Sequence, residues 1–301
     1  MKTTKTFTLK KIALALAIAG FAMTSAYAAL TGSTGTIRGE IPILKSANSA
    51  SHSVDFAAAT AEAGVLKTGD TITMTYKYTD TDGDADESTT TVQWFYVPDG
   101  GAGTPVAITA SSTNATGLTD GTTSGSSAIV IPSVATGAKI KAIITEQSTT
   151  GDLRTGHTIT YNDVSVQGEF GPGPESEPGG TTGGETDVPT GPVEPGADTT
   201  PWIYDVAAPG TNLIGNAQKL KVGQSYAFKL MAADGTTDLT STVNYKWKLN
   251  GTSATTATPA PATFFNTNLG WAAPTNVGGK VLSGSDDGVQ GYSLIVDYTA
   301  K

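Results

Sequence analysis

Short runs in which apolar and polar residues alternate recur along this chain between clusters of glycine, serine, threonine, asparagine and aspartate, the pattern of half-buried β-strands separated by turns. Residues 71–78 have period two, with Ile72, Met74, Tyr76 and Tyr78 on one face. Residues 92–97, 128–131, 139–144 and 157–161 continue the series, and residues 291–298 supply a C-terminal strand comparable with 140–145. Strands at this spacing predict a β-sandwich. The alanine-rich stretch 55–66 breaks the rhythm and reads as a long inter-strand connection with room for one helical turn.

A second pattern repeats at long range. Lys67-Thr68-Gly69-Asp70 before one alternating strand aligns with Lys221-Val222-Gly223-Gln224 before another, and each is followed some twenty residues later by a tryptophan strand, Trp94 and Trp247. Turn, strand, polar loop and tryptophan strand fit strands B and C of an immunoglobulin-like sandwich, where the indole fills the space between sheets. A tryptophan used as a binding platform is the alternative. Core placement is favoured because burying so large an apolar area is worth several kcal/mol. Between the two repeats, residues 171–196 are dense in proline, glycine and glutamate with almost nothing apolar to bury. Such a segment reads as a disordered linker. The expected organisation is all-β: a signal peptide at 1–28, an immunoglobulin-like domain at 29–170, the linker at 171–196 and a second immunoglobulin-like domain at 197–301.

The leader follows from its three parts. Lys2, Lys5, Lys10 and Lys11 precede an apolar run at 12–23, and Ala26-Tyr27-Ala28 is a small-x-small cleavage signal. The run is about a dozen residues, short of the roughly 20 that span a bilayer as a helix. Export with cleavage after Ala28 is expected, giving a mature chain that does not span the membrane. Of 18 basic and 27 acidic residues, the leader holds four of the basic ones, so the remainder carries 14 against 27, a net charge near −13. That charge disfavours nucleic acid and anionic lipid. The chain has no cysteine, which excludes disulfides and thiolate metal sites.

The densest cluster of reactive groups is Asp80, Asp82, Asp84, Asp86 and Glu87. Calcium takes six to eight oxygens, so these five are the candidate metal ligands. The EF-hand pattern is not met: counting from Asp80, glycine stands at the fourth position and Thr91 at the twelfth. In an extended strand the four aspartates would share one side and repel. A solvated hairpin turn centred on Asp82-Gly83 is the simpler reading, and Asp286-Asp287-Gly288 is a second acidic turn. His52 and His157, the sole histidines, lack any H-E-x-x-H or G-x-S-x-G context and read as surface or strand-edge residues. No catalytic residues and no cofactor other than calcium are assigned, and no enzymatic activity is expected.

The Ala26-Tyr27-Ala28 signal, the stretch from Tyr78 through Asp80, Asp82, Gly83 and Asp84 to Trp94-Phe95-Tyr96, and Ile131-Pro132-Ser133 ahead of a strand together resemble the Zir/Sin-type exported proteins of enteric bacteria. The resemblance is clearest over residues 60–160. It implies secretion through, or display beside, an intimin-like outer-membrane barrel of the inverse-autotransporter kind, with a co-secreted protein as a further candidate partner. It implies no catalytic residues. The expected function is that of a secreted or cell-surface interaction protein, with the periplasm as the alternative location. A fimbrial or carbohydrate-binding adhesin is the alternative function, and an extracellular hydrolase a third. A glycan-binding surface would require Trp202, Tyr204 and Trp271 to cluster; recognition by strand addition would require an unprotected sheet edge.

Overall fold

A computed structural model describes residues 31–117, 124–166 and 184–301. The expected signal peptide and the 171–183 part of the expected linker lie outside the described residues. Residues 39–301 form one compact unit. It is all-β, with only brief helical segments between strands.

In the N-terminal half, β1 (Ile43–Lys45) and β2 (Asp55–Ala59) pair with successive parts of β3 (Thr71–Thr79), which also pairs with β7 (Gly125–Val130); β6 (Ser111–Thr113) forms the outer edge. A second sheet runs β5 (Val106–Ile108), β4 (Gln93–Val97), β8 (Lys139–Gln147) and β9 (Thr155–Tyr161). Every second residue of β3 and of β8 is buried, because side chains alternate between the faces of a strand. Ile72, Met74, Tyr76 and Tyr78 thus enter one core with Ile140, Ala142 and Ile144. Trp94 lies in that core edge-on to Phe56 at 5.8 Å, and Phe56 meets Tyr161 at 4.8 Å, so rings from both sheets interlock.

Two expectations are corrected here. The stretch 55–66 begins with a strand, β2, and not with a loop or helical turn: Phe56 is buried and the alanines pair in register with β3. Local alanine propensity loses to a ladder that also buries a phenylalanine. Nor is the 184–196 part of the expected linker an extended spacer. Val188 and Val193 are buried in the first core, Phe56 donates its N–H to the Glu185 carbonyl at 2.9 Å, and Glu194 donates to Leu66 at 2.8 Å. Two valines spaced among prolines barely change the average composition, yet each fills a gap in the core wall. Protease cleavage within 171–183, where the sequence offers little to protect it, is therefore expected to leave both fragments co-eluting on size exclusion. Separation into two fragments under native conditions would contradict the packing of 184–196.

The C-terminal half repeats the scheme in shorter form. β10 (Thr200–Asp205), β11 (Ser225–Met231) and β13 (Trp271–Ala272) form one sheet; β12 (Val243–Asn250) and β14 (Ser293–Ala300) form the other. The aligned turns have the same geometry. Gly69 and Gly223 have φ of 87° and 85°, a left-handed backbone that glycine adopts without steric cost. Gly69 donates to Ile131 at 2.8 Å as Gly223 donates to Ala273 at 2.8 Å, and each following residue accepts the return bond, Ile131 to Asp70 and Ala273 to Gln224. Trp247 then occupies a second core with Tyr226, Phe228, Leu230, Leu249 and Trp271. The halves touch directly: Val134 packs against the second core, Ala233 donates to the Ser133 hydroxyl at 3.0 Å, and Ala300 donates to the Glu194 carboxylate at 2.8 Å.

Candidate functional site

Three features carry chemistry: the acidic loop after β3, a glutamate between two histidines, and a cleft beside β14. In the loop, Gly83 has φ of 90° and the chain turns tightly over residues 80–84, so the aspartates do not line an extended strand. Carboxylate oxygens of Asp80, Asp82 and Asp84 lie within 4.8 Å of one another. Asp80 is buried, at 3 % exposure. Its Oδ1 accepts the N–H groups of Asp82, Gly83 and Asp84 at 2.9, 3.1 and 3.3 Å, and its Oδ2 accepts the Tyr78 hydroxyl at 3.2 Å. Four donors around one carboxylate stabilise its charge without a cation. Asp82 accepts the Glu40 N–H at 2.6 Å, and Asp84 accepts the Thr150 hydroxyl.

The other two candidate calcium ligands point elsewhere. Asp86 is buried and accepts the Tyr76 hydroxyl at 2.7 Å, the Ala115 N–H at 2.8 Å and the Ser88 N–H at 2.9 Å. Glu87 pairs with Arg154 and accepts from Gln147 at 3.3 Å. The five acids are thus not one coordination set, and Asp80 and Asp86 are not solvated. They organise the turn: burial, followed by the Asp86 charge, pushes the Tyr76 hydroxyl well above the ordinary tyrosine range, and burial followed by Asp80 does the same to Tyr78. In the second acidic turn Asp286 pairs with Lys280, whereas Asp287 accepts the Thr255 and Thr256 N–H groups at 2.8 and 3.0 Å.

The histidines are the group that sequence reasoning missed. His52, in the loop between β1 and β2, and His157, on β9, are 105 positions apart, yet their Nδ1 atoms lie 2.9 Å apart. Between them stands Glu146 of β8, whose side chain is 0 % exposed while the imidazoles are about one-third exposed. His52 Nδ1 is 2.9 Å from Glu146 Oε1, and His157 Nδ1 is 3.7 Å from Oε2. Backbone groups fix the carboxylate: the Leu44 N–H donates to Oε1 at 2.9 Å and the His157 N–H to Oε2 at 2.8 Å. Gly156 allows this approach, since a Cβ there would stand 2.6 Å from Oε2 and 2.8 Å from the Pro42 carbonyl. One signal was legible in advance. The phase that buries Ile140, Ala142 and Ile144 also buries position 146, where the sequence has glutamate, and a charged residue in the buried phase needs a partner.

The cleft lies in the second half. It encloses about 920 Å³ and is lined by Ile203, Leu213, Phe228, Trp271, Leu294 and Tyr298 among others. β14 borders it and, among the described residues, pairs as a strand with β12 alone. β8, its counterpart in the first half, is paired on both sides, with β4 and β9. The Ala300 N–H turns away from β12 to Glu194, so alternation aims the N–H groups of Leu294, Val296 and Tyr298 at the same outer edge. The three candidate glycan-binding aromatics do not cluster. Trp202 and Tyr204 share the Lys229 ammonium at 4.2 and 5.4 Å, whereas Trp271 is buried against Tyr226 and Phe265.

Among the described residues no helix is long and apolar enough to cross a membrane. No protein-family model matches the chain, and no curated protein matches it significantly.

Proposed function

We propose that this chain is an exported interaction protein, secreted or held at the cell surface, made of two immunoglobulin-like β-sandwiches behind a cleaved signal peptide and handled by a separate intimin-like outer-membrane barrel. It engages protein partners by strand addition at a sheet edge. The observation that carries this reading is β14, paired with β12 alone among the described residues and bordering an apolar cleft. An incoming extended segment would gain main-chain hydrogen bonds from the edge and bury alternate side chains in the cleft. The repeated turn and buried tryptophan in each half support the immunoglobulin-like assignment. The adhesin alternative is weakened by the burial of Trp271, which leaves two partly buried rings already stacked with a lysine.

The test is to express the full chain with and without a candidate intimin-like barrel and assay the culture medium. Release into the medium is expected only with the barrel, and Ile295→Lys, a charge beside the open edge, is expected to abolish co-purification with the barrel at unchanged melting temperature. Equal release without the barrel would overturn the export half of the proposal; undiminished co-purification of the edge variant would overturn the other.

A further inference from the structure

We infer that His52, Glu146 and His157 form a binding site for a single zinc-class dication. The only two histidines of the chain meet at Glu146, the one buried glutamate among the described residues, drawn from three separate segments. Two imidazoles and a carboxylate are a ligand set that zinc accepts, with bonds of about 2.0–2.2 Å. Tetrahedral bonds of that length set ligand atoms about 3.3 Å apart. The two Nδ1 atoms lie 2.9 Å apart, and each has a Glu146 oxygen near that spacing, Oε1 at 2.9 Å from His52 and Oε2 at 3.7 Å from His157, with one ligand atom from each residue within 4.8 Å of the others.

Proton accounting points the same way. The Nδ1 of a neutral imidazole has one in-plane position, holding either a proton or a lone pair. His52 Nδ1 faces Glu146 Oε1 and His157 Nδ1 at equal distances of 2.9 Å. If the proton is on His157, the His52 lone pair is turned on the carboxylate. If it is on His52, it must divide between two acceptors in a three-centre bond, each share bent and weakened. A cation at the centre takes a lone pair from all three groups at once. It also balances a carboxylate that is otherwise removed from water.

The surroundings suit a bound metal. The Leu44 and His157 N–H groups already hold the two carboxylate oxygens from outside, the kind of support that orients a metal ligand and tunes its affinity. A water would complete the set as fourth ligand, as in zinc sites with three protein ligands. Calcium, which prefers six to eight oxygens, does not fit this set. The consequence is structural: the ion joins the β1–β2 connection of one sheet to β8 and β9 of the other, a cross-link between sheets in a chain without cysteine.

The test is titration of the untagged full chain, stripped with chelator, with zinc chloride followed by calorimetry and by ring-nitrogen NMR of the two histidines. One zinc per chain is expected, with both Nδ1 resonances shifting together and a rise in melting temperature that calcium chloride does not produce. His52→Asn and His157→Asn, at partly exposed positions, are each expected to fold and to lose more than about 100-fold in zinc affinity, beyond what loss of an outer-sphere partner costs. Absence of stoichiometric zinc binding would leave a hydrogen-bonded triad only and overturn the inference. So would zinc binding that survives both substitutions, which would place the ion elsewhere, the acidic loop included.

Discussion

Trp94→Ala is expected to destabilise the first core by about 3 to 5 kcal/mol, and Trp247→Ala to do the same to the second. Both indoles are essentially solvent-free, at 1 % and 0 % exposure. Removing either leaves a cavity that the paired strands around it cannot close, and cavity cost adds to lost transfer energy. Each also loses a hydrogen bond made by its indole N–H. Trp94 Nε1 donates to the Ser127 hydroxyl at 2.9 Å, and Trp247 Nε1 donates to the Leu269 carbonyl at 2.7 Å. Phenylalanine at either position restores most of the volume but not the donor, so the Trp→Phe variants should recover all but about 1 to 2 kcal/mol. Urea unfolding followed separately for each half measures this as a shift in midpoint at constant slope. Because the two cores have separate side chains, the half not mutated should shift much less, by no more than the contacts of Val134, Ser133 and Glu194 between the halves are worth. Unchanged melting with loss of partner binding would instead make the tryptophans surface contacts.

Raising the pH above about 10 is expected to unfold the N-terminal half cooperatively. Tyr76, Tyr78 and Tyr161 are buried in one core, and burial, the largest cause for each, holds all three hydroxyls above the ordinary range. Unfolded tyrosine ionises near pH 10. Below that value neither state loses the proton and the stability is fully present. Above it the unfolded chain ionises while the folded one keeps its protons, so stability falls as pH rises. Each tyrosine contributes up to about 1.4 kcal/mol per pH unit over the range in which only its unfolded form ionises. Against a stability of about 5 to 15 kcal/mol, unfolding should come within a few pH units. Tyrosinate absorbance should show exposed tyrosines titrating first, then a cooperative step coinciding with loss of near-ultraviolet circular dichroism. Gradual ionisation of all tyrosines near pH 10 with the fold intact would refute the burial argument.

Much of this architecture was legible from local pattern. Period two in β3 and β8 gave the buried faces residue by residue, because a half-buried strand leaves no other phase in which Ile72, Met74, Tyr76 and Tyr78 can all enter the core. The aligned Lys-x-Gly turns matched down to their hydrogen bonds, since a left-handed position ahead of a strand is served best by glycine. Both tryptophans read as core and are core. What misled was composition averaged over a window. It hid the strand in 55–59 behind alanines and the packed valines of 184–196 behind prolines. It also made the five acids of 80–87 look like one cluster, when backbone N–H groups and tyrosine hydroxyls claim Asp80 and Asp86 separately.

The sequence by itself determined which residues of the clearly alternating strands, β3 and β8, face the core, because that is a property of neighbours two positions apart. Only the tertiary structure decided what meets what across the sheets. His52 and Glu146 are 94 positions apart, and their contact exists because β1 and β8 belong to different sheets that share one core. The open edge of β14 is likewise a property of strand order, since a strand's own residues do not record whether a neighbour will pair with it. Period and turn chemistry act along the chain, whereas sites and edges depend on which strands the burial of apolar faces brings side by side.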